Sequence, residues 1–402
     1  MRNFAKSLLV LAARVYLRTT AGRRSKRPLR IIRSTSAFFG HLALEPENYL
    51  SARDSKTPSW ANNRAGINGR DWWTLGKVSA SPNPTLAKAW KRHVDVPPSW
   101  WIDALIRAGE HDSKRAIPQV SASLFGVRNA LDVTPSHFSL SERELRDARR
   151  EIEGIGIDLS KPYVALIVRD EKYFDKIGKK LSDGRMRNRA IADFAPAATA
   201  LAKQGVQVIR LGSLVASELE VDHPLVFDYA NSGQRSELLD VFIPLTAMGS
   251  ISTLTGSDAV AIVGRRPVLY VDIALYAQVF HSTKCSTWIP ARLRDTRAGR
   301  VLTLAEAFSR GIGWFVEPTQ FASEGIEPLR SSPAEIAEYA TEFVGTVLQR
   351  GRYVGDEALQ SAARTSLSEA MGEDGFTMHG EVRSQILDSF LRKHGDFISP
   401  RQ

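Results

Sequence analysis

The chain has 402 residues, of which 43% are hydrophobic and 24% are charged, and this composition excludes an intrinsically disordered protein. The length is enough for two ordinary domains. The single cysteine, Cys285, excludes an internal disulfide and a cysteine-based zinc cluster, and we expect it in the core. Part of the formal charge of +10 is concentrated near the N-terminus, in Arg14, Arg18, Arg23, Arg24, Lys26, Arg27, Arg30 and Arg33.

Residues 1–33 are predicted to form a basic amphipathic segment. Its apolar stretch from Ser7 to Ala13 is shorter than the roughly 20 residues that cross a bilayer, and it lacks the small-residue cleavage site of a signal peptide. We predict binding to an anionic membrane surface. A solvated basic tail is an alternative, and nucleic-acid binding is disfavoured because only Tyr16 lies among the basic residues. The side chains expected at the lipid boundary are Phe4, Leu8, Leu9, Leu11, Val15 and Tyr16.

Residues 34–150 are predicted to form a first α/β domain. The sequence LRIIRSTSAFFGHLALEPENYLSA predicts a strand, a tight turn containing Ser36 and Gly40, and a helix from about Leu42. His41 and Glu45 are candidates for a general base, with a purely structural histidine as the alternative. The tryptophans of this domain are expected to pack in the core rather than to form a sugar-stacking platform; they are Trp72, Trp73, Trp90, Trp100 and Trp101.

A helical pattern over Ser139 to Ile155 marks the predicted domain boundary, near residue 150. In residues 151–350, short apolar runs alternate with helical patterns, as expected for a parallel sheet covered on both faces. A helix is predicted to begin after Ser332, with Pro333 at its first position and Glu335 in its first turn. Residues 351–402 are predicted to be helices that pack back toward the first domain, the last over roughly 381–393. The predicted strands are YVALIVRD, VQVIRLGS, PLVFDYA, GSISTLTGSD and RPVLYVD.

Polar residues follow these strands at the ends where ligands of parallel sheets bind. Arg169 is expected to bind a phosphate, with Asp170 orienting it, and a surface ion pair is the alternative. Further polar groups at equivalent strand or helix ends are Arg187, Asn188, Arg189, Arg210, Ser213, Asp228 and Tyr229.

The turn Thr253-Leu-Thr-Gly-Ser-Asp258 follows a predicted strand and precedes a predicted helix. Its backbone N–H groups, the hydroxyls of Thr255 and Ser257, and the flexible Gly256 are suited to binding a diphosphate. Alternatively, Ser257 or Asp258 only caps the following helix. The spacing alone favours neither interpretation.

Several motifs are missing from the sequence. It has no phosphate-loop motif, no complete G-x-G-x-x-G, no HExxH and no Asp-x-Asp pair for a divalent metal. We therefore expect diphosphate chemistry without a metal and without a cofactor, in which arginines and helix N-termini meet the charge of the leaving group.

Segments running in order from about Ser36 to the C-terminus resemble a family of bacterial glycosyltransferases encoded with surface-polysaccharide genes. The segments are GHLALEPENYL, SPNPTLAKAWKRH, YVALIVRDEKYFD, RNRAIADFAPAATALAKQGVQVIRLGS, FDYANSGQRSELLDVFIPLTAMGSISTLTGSDAVAIVGRRPVLYVD, PAEI and SQILDSFLRKHGDFI. The family is related to heptosyl- and O-fucosyltransferases. The resemblance implies two Rossmann-like domains with parallel sheets facing a cleft (GT-B-like).

The resemblance also implies site residues. It places Arg169 and Asp170 at the cleft, Arg210 and Gly212 at the next strand end, Tyr229 near the nucleotide, and Gly256 to Asp258 under the donor diphosphate. TLTGSDAVA departs from the Ser-Gly pair that opens this helix in relatives.

The resulting prediction is a cytoplasmic glycosyltransferase, peripheral on the inner face of the plasma membrane. It would move a sugar from a nucleotide sugar, bound by the second domain, to a glycan or lipid-linked acceptor bound by the first. His41, Glu45 and Asp170 are the candidate bases, without an order. The alternatives are a sugar-nucleotide epimerase or hydrolase of the same fold, and a non-catalytic membrane-surface binding protein.

Overall fold

A computed structural model describes residues 2–17, 29–56, 70–75, 81–110, 117–170, 172 and 184–398, with side chains from residue 7 onward in the first helix. The chain divides into two compact units, Met1–Ser139 and Leu140–Gln402. The predicted α/β class with parallel sheets is confirmed. The predicted segments 1–33, 34–150, 151–350 and 351–402 stay a prediction.

The first unit contains a three-stranded parallel sheet in the order β2-β1-β3. Its central strand is the apolar LRIIR, whose first four residues are buried. Residues 29–33, including Arg30, therefore belong to the sheet and not to a basic tail. The elements are α1 (Arg2–Tyr16), β1 (Leu29–Arg33), α2 (Phe39–Ser55), β2 (Arg70–Thr74), α3 (Pro84–Trp90), α4 (Ser99–Glu110), β3 (Gln119–Ser121) and α5 (Ala130–Val133).

Most of the tryptophans are packed in the first unit, as predicted. Trp72, Trp73 and Trp90 are buried, and Trp101 is half-buried. Trp100 differs, because 55% of its surface is exposed. The basic residues at 18–28 lie outside the described part of the chain. Within the described residues, no helix combines the length and apolar character needed to cross a membrane.

The second unit is built on a seven-stranded sheet in the order β13-β9-β8-β7-β4-β5-β6, all parallel. Its strands and early helices are α6 (Glu142–Gly154), β4 (Tyr163–Ile167), α7 (Gly184–Arg187), α8 (Ala195–Lys203), β5 (Gln207–Arg210), β6 (Val226–Phe227), α9 (Glu237–Thr246), β7 (Gly249–Ser252), α10 (Ala259–Val263), β8 (Val268–Ile273) and β9 (Ser286–Pro290). β4, β5, β7 and β8 are buried along their whole length. This burial explains the nearly continuous apolar sequences of β4 and β8.

The rest of the second unit adds a small antiparallel sheet, β11-β10-β12, and C-terminal helices. These elements are β10 (Arg292–Asp295), β11 (Arg300–Val301), α11 (Leu304–Ser309), α12 (Pro318–Glu324), β12 (Ile326–Leu329), α13 (Pro333–Arg350), α14 (Glu357–His379), β13 (Gln385–Ile386) and α15 (Asp388–Lys393). α14 contacts α11, β13 and α15 within this unit.

Local sequence signals explain where the long helices begin and end. Ser332 caps α13 and forms a reciprocal capping box with Glu335, and Gly351, with φ +71°, ends the helix. Ser141 caps α6 in the same way.

Two sequence-based expectations of detail are wrong. The helix predicted over 381–393 begins only at Asp388, because Gln385 and Ile386 pair with β9 as an edge strand. A buried Gln360 side chain holds that strand by accepting the Ile386 N–H and donating to the Ile386 carbonyl. Cys285 is half-buried rather than part of the core.

Candidate functional site

The strand order of the large sheet reverses between β4 and β7. From β4 the chain proceeds to β5 and β6 on one side, and then returns to β7, β8 and β9 on the other. In open parallel sheets, ligands bind in the crevice at the carboxyl ends of the strands at this switch point. The residues that follow β4 and β7 are therefore the first place to look for a site.

Arg169 lies at this crevice, two residues after β4. Its backbone N–H donates to the Thr253 hydroxyl at the end of β7, at 3.0 Å. Burial lowers the pKa of Arg169 to about 10. The guanidinium therefore remains cationic at neutral pH, in surroundings that disfavour its charge.

Arg187, at the end of α7, lies beside Arg169. It donates to the Leu254 carbonyl at 3.2 Å. Burial, and then the nearby positive charge of Arg169, lower the pKa of Arg187 to about 9, and Asp258 acts weakly in the opposite direction. Two buried cations that repel each other favour the binding of an anion, because the anion would offset both the repulsion and the cost of burying the two charges.

The turn after β7 is fixed mainly by Asp258. This buried carboxylate accepts from the Ser252 hydroxyl and from the Thr255 N–H, each at 2.6 Å. The turn includes Leu254 in the left-handed region, at φ +64°. Burial raises the pKa of Asp258 to about 7. The buried Asp258 side chain therefore holds the turn in this conformation.

The exposed part of the same turn consists of the residues predicted to bind a diphosphate. Gly256 is exposed, and Thr255 and Ser257 are half-buried. The Thr255 hydroxyl accepts from the Ser257 N–H at 3.2 Å. The Asp258 side chain does not cap α10, which is only five residues long, so its macrodipole adds little. The side-chain capping interpretation of Asp258 is therefore wrong.

Arg210 and Asp228, at the ends of β5 and β6, form an ion pair of 3.0 Å in which Arg210 is buried. Arg210 also donates to the Ser217 carbonyl at 2.6 Å, and Asp228 accepts from the Leu219 N–H at 2.8 Å. Both side chains therefore hold the loop over residues 211–219.

Three further predicted residues belong to the same region. Asp170 accepts from the N–H groups of Lys172 and Ala216, at 3.0 and 2.7 Å, so its carboxylate ties the end of β4 to the 211–219 loop. A Cβ at Gly212 would lie 2.5 Å from Val215 Cγ1, so a larger residue here would have to displace the Val215 side chain. Ser213 is exposed on the loop.

Tyr229 is buried, and its hydroxyl is engaged at the start of α9. It accepts from the Ser236 N–H at 2.7 Å and donates to the Ser236 carbonyl at 3.3 Å. Burial raises the pKa of Tyr229 to about 12.

A second cluster lies at the carboxyl end of β8, and of its residues Arg189 was expected from sequence but Asp272, Arg330 and Ser331 were not. Asp272, at φ +54°, pairs with Arg189 and accepts from the hydroxyl of Ser331 at 2.6 Å. Arg330 donates to the carbonyls of Asp272 and Met186, at 2.8 Å each. These contacts fix the backbone that carries Arg187 across the ends of β7 and β8. The polar end of RPVLYVD was the available signal for this cluster.

In the first unit, His41 and Glu45 lie one helical turn apart on α2. His41 Nδ1 is 2.7 Å from Glu45 Oε1, and Glu45 is fully buried while His41 is 32% exposed. Glu45 Oε2 accepts from the Ser34 hydroxyl at 2.7 Å and from the Thr35 N–H at 3.0 Å. Glu45 therefore orients the imidazole and anchors the loop after β1.

The two acceptor-side loop residues lie next to this pair. The Ser36 hydroxyl donates to the Thr74 carbonyl at 3.5 Å, a long contact. Gly40 is buried in the first turn of α2. Over the described ranges, no group of three or more His, Cys, Asp and Glu residues is arranged to hold a metal ion.

No protein-family model matches the chain, and no curated protein matches it. Three similar solved structures are glycosyltransferases by name. The E. coli ADP-heptose LPS heptosyltransferase II is 12% identical, and the similarity covers 60% of this chain and 84% of that chain with a TM-score of 0.31. The glycosyl transferase family 9 structure from Veillonella parvula DSM 2008 is 10% identical, with 61% and 81% covered and a TM-score of 0.39. Spinosyn forosaminyltransferase SpnP is 12% identical, with 60% and 80% covered and a TM-score of 0.22.

Proposed function

We propose that the chain is a glycosyltransferase that moves a sugar from a nucleotide-sugar donor to a glycan or lipid-linked acceptor in surface-polysaccharide biosynthesis. The observation that carries the proposal is the pair Arg169 and Arg187 at the switch point of the parallel sheet. A nucleoside diphosphate has the charge that this pair favours. The half-buried hydroxyls of Thr255 and Ser257 on the adjacent turn are proposed to supply neutral hydrogen bonds to the same group.

In the proposed reaction the acceptor hydroxyl attacks the anomeric carbon of the donor sugar. The new glycosidic bond forms as the bond from that carbon to the diphosphate oxygen breaks, and the diphosphate leaves with the electron pair. Arg169 and Arg187 stabilise the negative charge that develops on the leaving group. A preorganised contact of this kind is typically worth about 3 kcal/mol in the transition state.

Of the three candidate bases, we favour His41. Glu45 is fully buried and committed to Ser34, Thr35 and His41. Asp170 already accepts two backbone N–H groups. The imidazole of His41 is held through Nδ1 by Glu45 and is 32% exposed, so it is both oriented and accessible. In this proposal His41 takes the proton of the acceptor hydroxyl, and Glu45 is a positioning residue.

We further propose that the protein works without a metal or cofactor, at the inner face of the plasma membrane. The basic N-terminal sequence supports this location. The donor is proposed to bind the second unit and the acceptor the first.

The test is a transfer assay on the full chain, with nucleotide sugars and an extract of lipid-linked glycans, in the presence of a chelator. We expect sugar transfer with release of nucleoside diphosphate, reduced at least about 100-fold in His41→Gln. Glu45→Gln should reduce turnover less and shift its pH profile. Arg294→Gln, which removes an exposed arginine of the second unit, is the matched control and should behave as wild type.

Two results would contradict the proposal. Consumption of the donor without an acceptor, at an unchanged rate in His41→Gln, would identify a sugar-nucleotide hydrolase or epimerase. Absence of nucleotide binding by a cooperatively folded protein would favour a non-catalytic binding protein.

A further inference from the structure

The helix α1 has two apolar faces, and among the residues that the structure describes one of them packs in the core of the first unit. Ala13 and Leu17 are buried in a cluster with Trp72 and Leu105, and Leu9 packs against this cluster. α1 therefore belongs to the folded core of the first unit and is not a detachable tail. This differs from the sequence-based expectation that Leu9 and Tyr16 enter lipid.

The opposite face of α1 is apolar and exposed. Leu8, Leu11 and Val15 expose 52%, 57% and 53% of their surface. At 3.6 residues per turn, these three side chains lie within an arc of about 60°. Their mean direction is nearly opposite to that of the packed residues, so the core holds this stripe outward in a fixed orientation.

A fourth exposed apolar side chain, that of Trp100, belongs to α4, which contacts α1. Tyr16 contacts Trp101 with ring centroids 5.8 Å apart, so the end of α1 meets the start of α4. Trp100, the neighbour of Trp101, is 55% exposed. Tryptophan is favoured at membrane interfaces because its ring is apolar and its N–H is polar.

Along the sequence, the positive charge of the chain is concentrated in the N-terminal segment that includes α1. Ten lysines and arginines, and no acidic residue, precede Glu45. Because the whole chain has a formal charge of +10, the sequence from Glu45 onward has no net charge. One of the ten, Arg30, is buried in an ion pair with Asp71. Arg14 and Arg33 are exposed in the described part of the chain.

We infer that the stripe Leu8, Leu11 and Val15 of α1, together with Trp100 of α4, docks on the surface of an anionic lipid bilayer. Apolar side chains enter the lipid boundary while nearby cations meet anionic headgroups, and the combination is typical of interfacial helices. A nucleic acid would use the cations but would gain nothing from the exposed leucines. The inference rests on the peripheral location proposed above and is independent of the transfer chemistry.

The experiment is co-sedimentation of the full chain with vesicles of phosphatidylcholine alone or mixed with phosphatidylglycerol. We expect binding to the anionic vesicles only, weakened by salt. The triple variant Leu8→Gln, Leu11→Gln, Val15→Gln should bind at least about tenfold more weakly, since this corresponds to a loss of only about 1.4 kcal/mol. Trp100→Ala should weaken binding by a smaller factor.

The matched control carries Val133→Gln and Leu348→Gln, which replace apolar residues with exposures of 58% and 45% on other helices. It should bind as wild type. Absence of vesicle binding, equal loss in the control, or unchanged binding in the triple variant would overturn the inference. Binding to RNA that the triple variant retains, without vesicle binding, would assign the charge to nucleic acid. Nucleotide binding measured on the same samples reports separately on the proposed function.

Discussion

The arginines at two neighbouring strand ends of the second unit differ in what surrounds them. Arg210, at the end of β5, is paired with Asp228 and braces a loop. Arg169, beyond β4, lies next to a second cation, Arg187, and both have a lowered pKa. In sequence, each is an arginine at the end of an apolar run. The carboxylate of Asp228 makes Arg210 structural. Burial and the nearby charge of Arg187 make Arg169 a candidate ligand for an anion.

The largest expected effect concerns the paired arginine. Arg210→Met leaves Asp228 without its cation and should lower the free energy of unfolding by about 3 kcal/mol, as when one partner of a buried ion pair is removed. Chemical denaturation followed by circular dichroism measures this loss. Arg294→Met removes an exposed pair with Glu327 and should cost less than about 1 kcal/mol. Equal losses in both variants would contradict a bracing role for Arg210.

Replacing Arg187, which lies near Arg169, is expected to change the free energy of unfolding much less than replacing Arg210. Arg187→Gln relieves the repulsion with Arg169 and the cost of burying a charge, and gives up the contacts of the guanidinium, among them the hydrogen bond to the Leu254 carbonyl. These effects offset, so we expect the free energy of unfolding to change by no more than about 1 kcal/mol. A loss as large as that of Arg210→Met, measured in the same way, would show that Arg187 is structural.

Asp258 should make stability depend on pH. Its pKa is about 7 in the folded protein, against 3.8 as the ordinary value. Between these values the folded protein holds a proton that the unfolded chain releases, so this carboxyl makes stability fall as the pH rises toward 7. Asp258→Asn should lack this dependence. Identical pH profiles of the variant and the wild type would rule out the raised pKa.

The smallest effect is expected at His137 of the first unit. Burial acts to lower its pKa, but hydrogen bonds to Glu47 and Asp54 outweigh burial and raise the pKa above 6.5. The protonated His137 imidazole therefore stabilises the folded protein fully below pH 6.5, and this stabilisation is lost as the pH rises through the folded-state pKa. Proton-detected NMR titration of the imidazole measures this pKa directly. A value below 6.5, or one unchanged in Asp54→Asn, would contradict the bridging arrangement.

Much of the second unit could be predicted from sequence because its signals are local. Continuous apolar runs predict buried parallel strands, and Ser332, Pro333 and Glu335 predict the start of α13. The polar ends of the strands also indicated where a site would lie.

The roles of individual site residues could not be predicted, because distant contacts decide them. Arg330 is 144 residues from Met186, whose carbonyl it binds. Asp170 braces Ala216 across 46 residues instead of orienting Arg169. Similarly, the amphipathic pattern of α1 did not reveal that its core-facing side packs on Trp72. The periodicity of apolar residues identifies a face of the helix, but it does not show which residues pack against that face.

The most direct test of the account is calorimetric titration of the full chain with UDP, GDP, CDP and ADP without added metal. We expect one nucleoside diphosphate to bind, with affinity reduced about 10- to 100-fold in Arg169→Gln and in Arg187→Gln, as for loss of a charge-assisted hydrogen bond. Arg294→Gln should bind as wild type. Equal affinity in all four proteins, or no binding of any diphosphate by the folded wild type, would contradict the assignment of Arg169 and Arg187 as the donor diphosphate site.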